Sequence, residues 1–417
     1  MIFKFFGGAQ EVGRSAILLK DEKSIMMDFG IKIDNENKYP IEIPKIDALV
    51  LSHSHLDHSG YVPALYFNQH VPTFGTKPTL DLSGLLLDDA INVMKKKRIK
   101  PAYYKKQVNL FKNEFVQMEY HEELNFANFN IKLYDAGHIS GSSITSIERK
   151  EATKNKRVVY TGDFKLSPQT LHKGAEIVKS DVLITESTYE SKEHPDREEL
   201  IKKFIKDINE TLESGGTALL PAFAVGRSQE LISIIYENNH AENLFIDGMS
   251  KAATKIVLSN QRFIRNSDIL SNAMQEATWI EDINTRKEAT NGPNIILTTA
   301  GMLNGGPVLN YIKRLNSKSK IFITGYQVEG TNGYTLINNS YIISDNRKTK
   351  ITTPFEIYDF SAHSGNADLH RYIKESSPEI VICVHGDKEN TMHFAEQLKE
   401  EGYEAYAPKV GDIIKLD

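Results

Sequence analysis

Cysteine is almost missing: the single one, Cys383, sits in the apolar run EIVICVHG. No disulfide can form within the chain, a reducing compartment is indicated, and the thiol reads as a core residue. Long apolar runs are missing too. Nothing approaches the roughly 18 consecutive apolar residues of a membrane-spanning helix, and the opening MIFKFFGGAQEVGRS has no basic leader followed by an apolar core and a cleavage site. A soluble, cytoplasmic protein with no membrane partner is expected. Bulk positive charge is also lacking: 50 Lys and Arg against 55 Asp and Glu leave a net charge of −5. That excludes nucleic-acid binding by overall charge alone, so any polyanion must be held in a local groove. No internal repeat or low-complexity tract is present.

What remains is a globular chain, 40% hydrophobic and, at 417 residues, too long for one ordinary core. Two textures follow one another. Up to about Glu186, short β-rich runs dominate, among them SAILLK, SIMMDFG, DALVLS, NIKLYDAG, RVVYTGDF and DVLITEST, with helical periodicity around TLDLSGLLLDDAINVMKKK. Several of these runs end in a polar, reactive residue: Asp28, His53, His138, Asp163 and Glu186. From about Asp196 the texture becomes strand, glycine turn, helix, as in TALLPAF followed by GRSQELISIIYENN, the alternation of a doubly wound α/β layer. Reactive residues return near the end, in YDFSAHSG and VICVHGDKEN. The simplest organisation is one domain interrupted by an insertion: residues 1–190, an inserted domain over 191–350, and a return of the first domain over 351–417.

LVLSHSHLDHSG packs three of the chain's 13 histidines, with an aspartate, into the six positions from His53 to His58. Histidines at i and i+2 of an extended segment point the same way, while the Asp57 and His58 that follow can turn onto a second position. One loop can thus serve two metal ions. Histidine and carboxylate ligands without thiolate suit an open hydrolytic zinc site, and manganese or iron would accept them as well. His138 in DAGHISGS and Asp163 in YTGDF follow strands and precede tight turns, and an aspartate can bridge two ions about 3.5–4 Å apart. Taken singly they read as a turn histidine and a helix cap; beside the first loop they read as ligands. Asp28 in MMDFG reads as a carboxylate that orients a ligand histidine from behind.

In this order these residues resemble the metallo-β-lactamase superfamily. ITEST with Glu186, FSAHSG with His363 and CVHGD with His385 are similar to motifs A, B and C of its β-CASP nucleases. FGGAQEVGRS, PAFAVGRSQEL, TAGMLNGGP and TGYQVEGTNG are similar to segments of the cleavage and polyadenylation specificity factor nucleases, so the resemblance spans essentially the whole chain. It is nearest to the short archaeal and bacterial members without N-terminal KH-type domains, since the first β-rich run begins at the first residues. The resemblance implies an α/β fold, a metallo-β-lactamase αββα sandwich with an inserted α/β β-CASP domain. It implies two zinc ions per chain, the first on His53, His55 and His138 with Asp163 bridging, the second on Asp57, His58, Asp163 and His385. His363, held by Glu186, would face the scissile phosphate as general acid and, with Asp57, complete the catalytic set. No ligand position departs from the family pattern.

The implied activity is hydrolysis of single-stranded RNA, endonucleolytic and also able to run from the 5′ end, leaving a 3′-hydroxyl and a 5′-phosphate. An RNase J-like 5′–3′ exoribonuclease ranks second because its motif B surroundings tend to differ from FSAHSG. A DNA-acting β-CASP nuclease and a non-catalytic RNA-binding scaffold follow. Family members often form homodimers, although no surface in the sequence argues for one. Substrate choice is expected in the insertion, where FAVGRSQ, GMLNGGP and YQVEGTNG form glycine-rich turns that read as phosphate cradles or as plain packing turns. Arg227 and Tyr326 are the weaker candidates for backbone and base contacts. KKKRIKPAYYKK, Lys95 to Lys106, reads as a solvated helix end and linker rather than a nucleic-acid patch. His70, His121 and His172 fall in no motif and are expected at the surface.

Overall fold

The computed structural model describes residues 1–34, 36–150, 155–344 and 347–416. The chain forms two compact units. The first comprises Met1–Pro168, His172–Glu193 and His363–Asp417, the second Gln169–Leu171 and His194–Ala362.

In the first unit, β1 (Ile2–Gly7), β2 (Ala16–Lys20) and β3 (Ser24–Met27) form an antiparallel meander. The parallel strands β4 (Ala48–Val50), β5 (Thr73–Gly75) and β6 (Phe115–Gln117) extend it, and β22 (Ile413–Lys415) closes its other edge. A second sheet begins with the antiparallel strands β7 (Glu123–Phe126), β8 (Phe129–Asp135), β9 (Ser143–Arg149) and β10 (Lys156–Tyr160). It continues in parallel through β11 (Val182–Glu186), β20 (Ile380–Val384) and β21 (Glu404–Tyr406).

Period-2 alternation explains how these sheets stack. In β2, Ile17 and Leu19 join Phe3, Val50, Ile131, Val158, Ile184 and Ile382 in one core between the sheets. Leu18 points the other way, with Leu49 of β4, onto Leu65, Leu87, Val108 and Phe111 of the flanking helices. Val381 and Cys383 of β20 do the same on the opposite side, against Leu369, Tyr372, Phe394 and Leu398. Strands covered on both faces must be apolar throughout, which is why the period-2 signal is weak in β4, β11 and β20. The result is a four-layer αββα sandwich. Cys383 is fully buried in it, and burial pushes its thiol pKa up.

The second unit is built on a parallel sheet with strand order β14-β13-β15-β12-β16-β19. Its strands are β12 (Ala218–Pro221), β13 (Leu244–Asp247), β14 (Thr278–Trp279), β15 (Ile295–Thr298), β16 (Lys320–Ile323) and β19 (Phe355–Ile357). A separate antiparallel pair, β17 (Tyr341–Ser344) and β18 (Arg347–Lys350), lies beside them in sequence. The unit runs past residue 350 because β19 pairs with β16, Ile321 against Phe355. It also recruits residues 169–171, whose backbone amides at Thr170 and Leu171 donate to the Glu230 carboxylate at 2.6 and 3.1 Å. No helix among the described residues is long and apolar enough to cross a membrane.

Ile382 sits at the centre of the sandwich with no exposed surface, and Ile33 is 57% exposed. Ile382→Ala is expected to destabilise the chain by about 2–5 kcal/mol through lost burial and a residual cavity. Ile33→Ala should stay within about 0.5 kcal/mol; urea unfolding midpoints compare the two.

Candidate metal centre

His53 and His55 leave the end of β4 in extended chain, and the short helix Leu56–Ser59 then turns Asp57 and His58 away from them. Three overlapping groups of close donor atoms result among the described residues. His53, His55 and His138 form the first, Asp57, His58, Asp163 and His385 the second, and His138, Asp163 and His363 a third that shares members with both. In the first, His55 Nδ1 and His138 Nε2 stand 3.2 Å apart. Two nitrogens on one tetrahedral zinc ion, with bonds of about 2.0–2.1 Å, would lie at roughly that separation.

Asp163 faces the first two groups with different oxygens. Its Oδ1 lies 3.3 Å from His58 Nε2 and 3.3 Å from His385 Nδ1, while Oδ2 lies 3.7 Å from His53 Nε2 and 4.0 Å from His138 Nε2. His53 Nε2, His58 Nε2 and Asp163 Oδ1 are buried without a hydrogen-bond partner. Leaving such atoms unsatisfied costs about 1–3 kcal/mol each, and a cation on each of the first two groups would satisfy them. The nitrogen and oxygen donor set, without thiolate, therefore fits a metal site.

The tautomers are set from behind. Asp28 Oδ2 accepts from His58 Nδ1–H at 2.6 Å, Ser52 O–H at 2.7 Å and Tyr160 O–H at 2.7 Å, and Oδ1 accepts from the Ser52 amide. With its proton spent on Asp28, the Ser52 oxygen accepts from His53 Nδ1–H at 3.1 Å. Both histidines thus turn Nε2 toward Asp163. Burial works against a charged His58, but Asp163, Asp28 and Asp57 outweigh it and hold its pKa well above the ordinary value. Burial and the His58 charge drive His53 the other way. Burial would raise Asp163 as well, yet His385, His58 and His363 keep it well below the usual carboxylate range.

His363 stands next to this cluster, its Nε2 4.0 Å from Asp163 Oδ2. Its Nδ1–H donates to Glu186 Oε2 at 2.8 Å, and Glu186 Oε1 accepts the Phe164 amide at 2.8 Å. Burial alone would lower the imidazole pKa; the carboxylates of Glu186 and Asp163 reverse this and raise it to about 9.

Models of known families match consecutive parts of the chain: the Beta-Casp domain residues 228–336, the Zn-dependent metallo-hydrolase RNA specificity domain 353–408, and the Anti-Pycsar protein Apyc1 8–212. The Probable RNase MJ4 of Methanocaldococcus jannaschii is 36% identical over 99% of each chain. RNase aCSPSF2 of Saccharolobus solfataricus is 34% identical over 99% of this chain and 85% of its own. The chain belongs to the β-CASP ribonucleases of the metallo-β-lactamase superfamily. An RNase J-like protein of Methanocaldococcus jannaschii is 32% identical over the full length of both chains. A crystal structure of a protein of unknown function from Enterococcus faecalis V583 matches with a TM-score of 0.64 over 100% of this chain and 99% of its own, at 15% identity, a likeness of fold alone.

Several partners in this β-CASP ribonuclease are not among the residues the sequence singled out. Ser52 and Tyr160 bind Asp28 as described, Thr188 O–H donates to the His385 carbonyl at 2.9 Å, and Lys165 Nζ donates to the His363 carbonyl at 2.9 Å. Tyr160 ends an apolar strand and reads from sequence as core. Ser52 adjoins His53, and that adjacency is the one signal that could have singled it out.

The weaker candidates belong to the second unit. Arg227 donates from Nη1 to the Thr324 carbonyl at 2.7 Å, and Tyr326 is 63% exposed. Two glycines of the nearby turns are closely packed: a Cβ would meet the Phe223 amide nitrogen at 3.1 Å on Gly301 and the Phe223 ring at 3.0 Å on Gly325. Lys95–Lys106 spans a helix end and a linker, with Lys105 paired to Asp88. His70 and His121 are largely exposed. His172 is not at the surface as expected; it is buried, 5% exposed.

If Asp28 orients His58 toward a metal, Asp28→Ala should weaken zinc retention against a chelator by ~10–100-fold. Tyr160→Phe removes one of four donors to Asp28 and should change it much less; elemental analysis after graded chelator dialysis reads both.

Proposed function

We propose that this β-CASP ribonuclease is a dinuclear zinc endoribonuclease that cuts single-stranded RNA in the cytoplasm. The observation that carries the reading is Asp163, presenting one oxygen to each of the first two donor groups with the His363–Glu186 pair alongside. His53, His55 and His138 would hold one ion, Asp57, His58 and His385 the other, and Asp163 would contribute to both. When bound, such ions supply Lewis acidity at the phosphate and activate water near neutral pH. The chain's own part is to exclude bulk water around the buried histidines, to hold Asp163 ionised, and to keep a proton at His363 Nε2. That proton goes to the leaving ribose 3′ oxygen, giving a 3′-hydroxyl and a 5′-phosphate. Glu186 orients the acid, and its carboxylate together with that of Asp163 raises the His363 pKa to about 9 against the effect of burial.

The full-length likeness to an RNase J-like protein supports a second reading, 5′–3′ exonuclease activity. Circular single-stranded RNA separates the two: an endonuclease opens it and a strictly 5′-dependent enzyme leaves it intact. Linear substrates with a 5′-phosphate or a 5′-triphosphate then show whether digestion also depends on the end, and matched DNA tests the sugar preference.

His363 also lies within ligand distance of His138 and Asp163, so its role needs its own test. His363→Ala should keep two zinc ions and near-normal RNA affinity but lose ~10²–10⁴ in rate. A substrate with sulfur as the leaving atom needs little protonation and should recover most of that loss. Glu186→Gln should show the same pattern more mildly. A variant equally slow on both substrates, or one short of a zinc ion, makes His363 a positioning or ligand residue.

Asp163→Ala should strip at least one ion and abolish cleavage. Elemental analysis of zinc-saturated chain should find two ions per chain; one would contradict the dinuclear reading.

A further inference from the structure

The antiparallel pair β17–β18 in the second unit has an inner face with a clear structural task and an outer face with none. Ile342, fully buried, packs into the core of the unit with Leu336 and Ile351. The buried side chain of Asn332 clamps the ribbon, accepting from the Ile343 amide at 2.7 Å and donating to its carbonyl at 2.9 Å. The ribbon is therefore held rather than loose.

Register decides what the outer face carries. Tyr341 pairs with Lys350 and Ile343 with Lys348, and cross-strand partners share a face. Tyr341, Ile343, Lys348 and Lys350 thus stand together. Ile343 is 50% exposed and both lysines are exposed. Lys348 Nζ sits 3.7 Å from the Tyr341 ring centroid, and Asn339, Tyr341, Lys348 and Lys350 line an open depression. Arg347 pairs with Ser344 and so belongs to the other face, where it is also exposed; among the described residues no ion pair neutralises Arg347, Lys348 or Lys350. The chain as a whole carries a net charge of −5.

We propose that the outer face of β17–β18 binds single-stranded RNA, with Lys348 and Lys350 on consecutive phosphates and Tyr341 and Ile343 against an unpaired base. This rests on the ribonuclease reading above. Charge complementarity selects a polyanion, and the half-buried Tyr341 ring beside the exposed Ile343 selects one with bases free to stack, which a duplex does not offer. The competing account is that the lysines merely guard an exposed strand edge against pairing with other chains. Edge protection needs charge, but it gives no reason for a cation to lie over the half-buried Tyr341 ring.

The test measures binding of fluorescent single-stranded RNA to the zinc-loaded full chain carrying His363→Ala, at several salt concentrations. The same background then receives K348Q/K350Q or Y341A. K348Q/K350Q should weaken binding about tenfold and reduce the salt slope by about 1.4, two phosphate contacts at about 0.7 each. Y341A should weaken binding to a similar extent with the slope unchanged, and should leave duplex RNA binding as it was. Photocrosslinking of 4-thiouridine RNA to the chain without these substitutions should label the peptide around Tyr341, which covers the case of a variant that folds poorly. Unchanged affinity and slope, aggregation of K348Q/K350Q with RNA binding intact, or crosslinks elsewhere would overturn the proposal while leaving the ribonuclease reading standing. A starting chain that binds no RNA would overturn that reading itself.

Discussion

A buried carboxylate with imidazoles on every side is the constraint around which the first unit is organised. Asp163 is 2% exposed, and its two oxygens face different sets of nitrogens. Burying that charge is expensive unless positive charge comes with it. The imidazoles of His385, His58 and His363 supply part of that charge and hold Asp163 well below the usual carboxylate range. Cations at the two donor groups would supply it instead, and the unsatisfied Nε2 atoms of His53 and His58 would then gain partners. The layer behind Asp163 follows from the same need. Asp28 holds His58 and, through Ser52, His53, so that neither ring can turn its lone pair away.

The sandwich brings these residues together by strand direction. β10, β11 and β20 are adjacent and parallel, so their carboxyl ends lie side by side and deliver Asp163, Glu186 and His385 to one edge. β3 and β4 are parallel neighbours in the facing sheet and deliver Asp28 and the His53 loop. His138 comes from the connection between β8 and β9. Reactive side chains at strand ends leave the strands free to be wholly apolar, and those apolar strands form the core that fixes the ends.

Much of this is legible in the sequence. The crowding of His53, His55, Asp57 and His58 behind an apolar run pointed to a two-position cluster, and His138, Asp163, His363 and His385 resembled a known order. What lay outside the reading has identifiable causes. Tyr160 hydrogen-bonds to Asp28 but looks like any apolar strand end. His172 is buried although no motif marks it, because burial of a lone histidine depends on neighbours distant in sequence. The second compact unit runs to Ala362, past residue 350; β19 is three residues long, too short to show periodicity, and its pairing with β16 is what places it there. The basic face of β17–β18 is likewise invisible until register shows which side chains stand together.

The central claim is that Asp163 is shared between two metal ions. Anomalous diffraction from crystals of the zinc-loaded chain, collected on both sides of the zinc edge, tests it most directly. The account predicts two peaks, one flanked by His53, His55 and His138, the other by Asp57, His58 and His385, with Asp163 in contact with both and His363 in contact with neither. A single peak, or a peak coordinated by His363 Nε2, would contradict it.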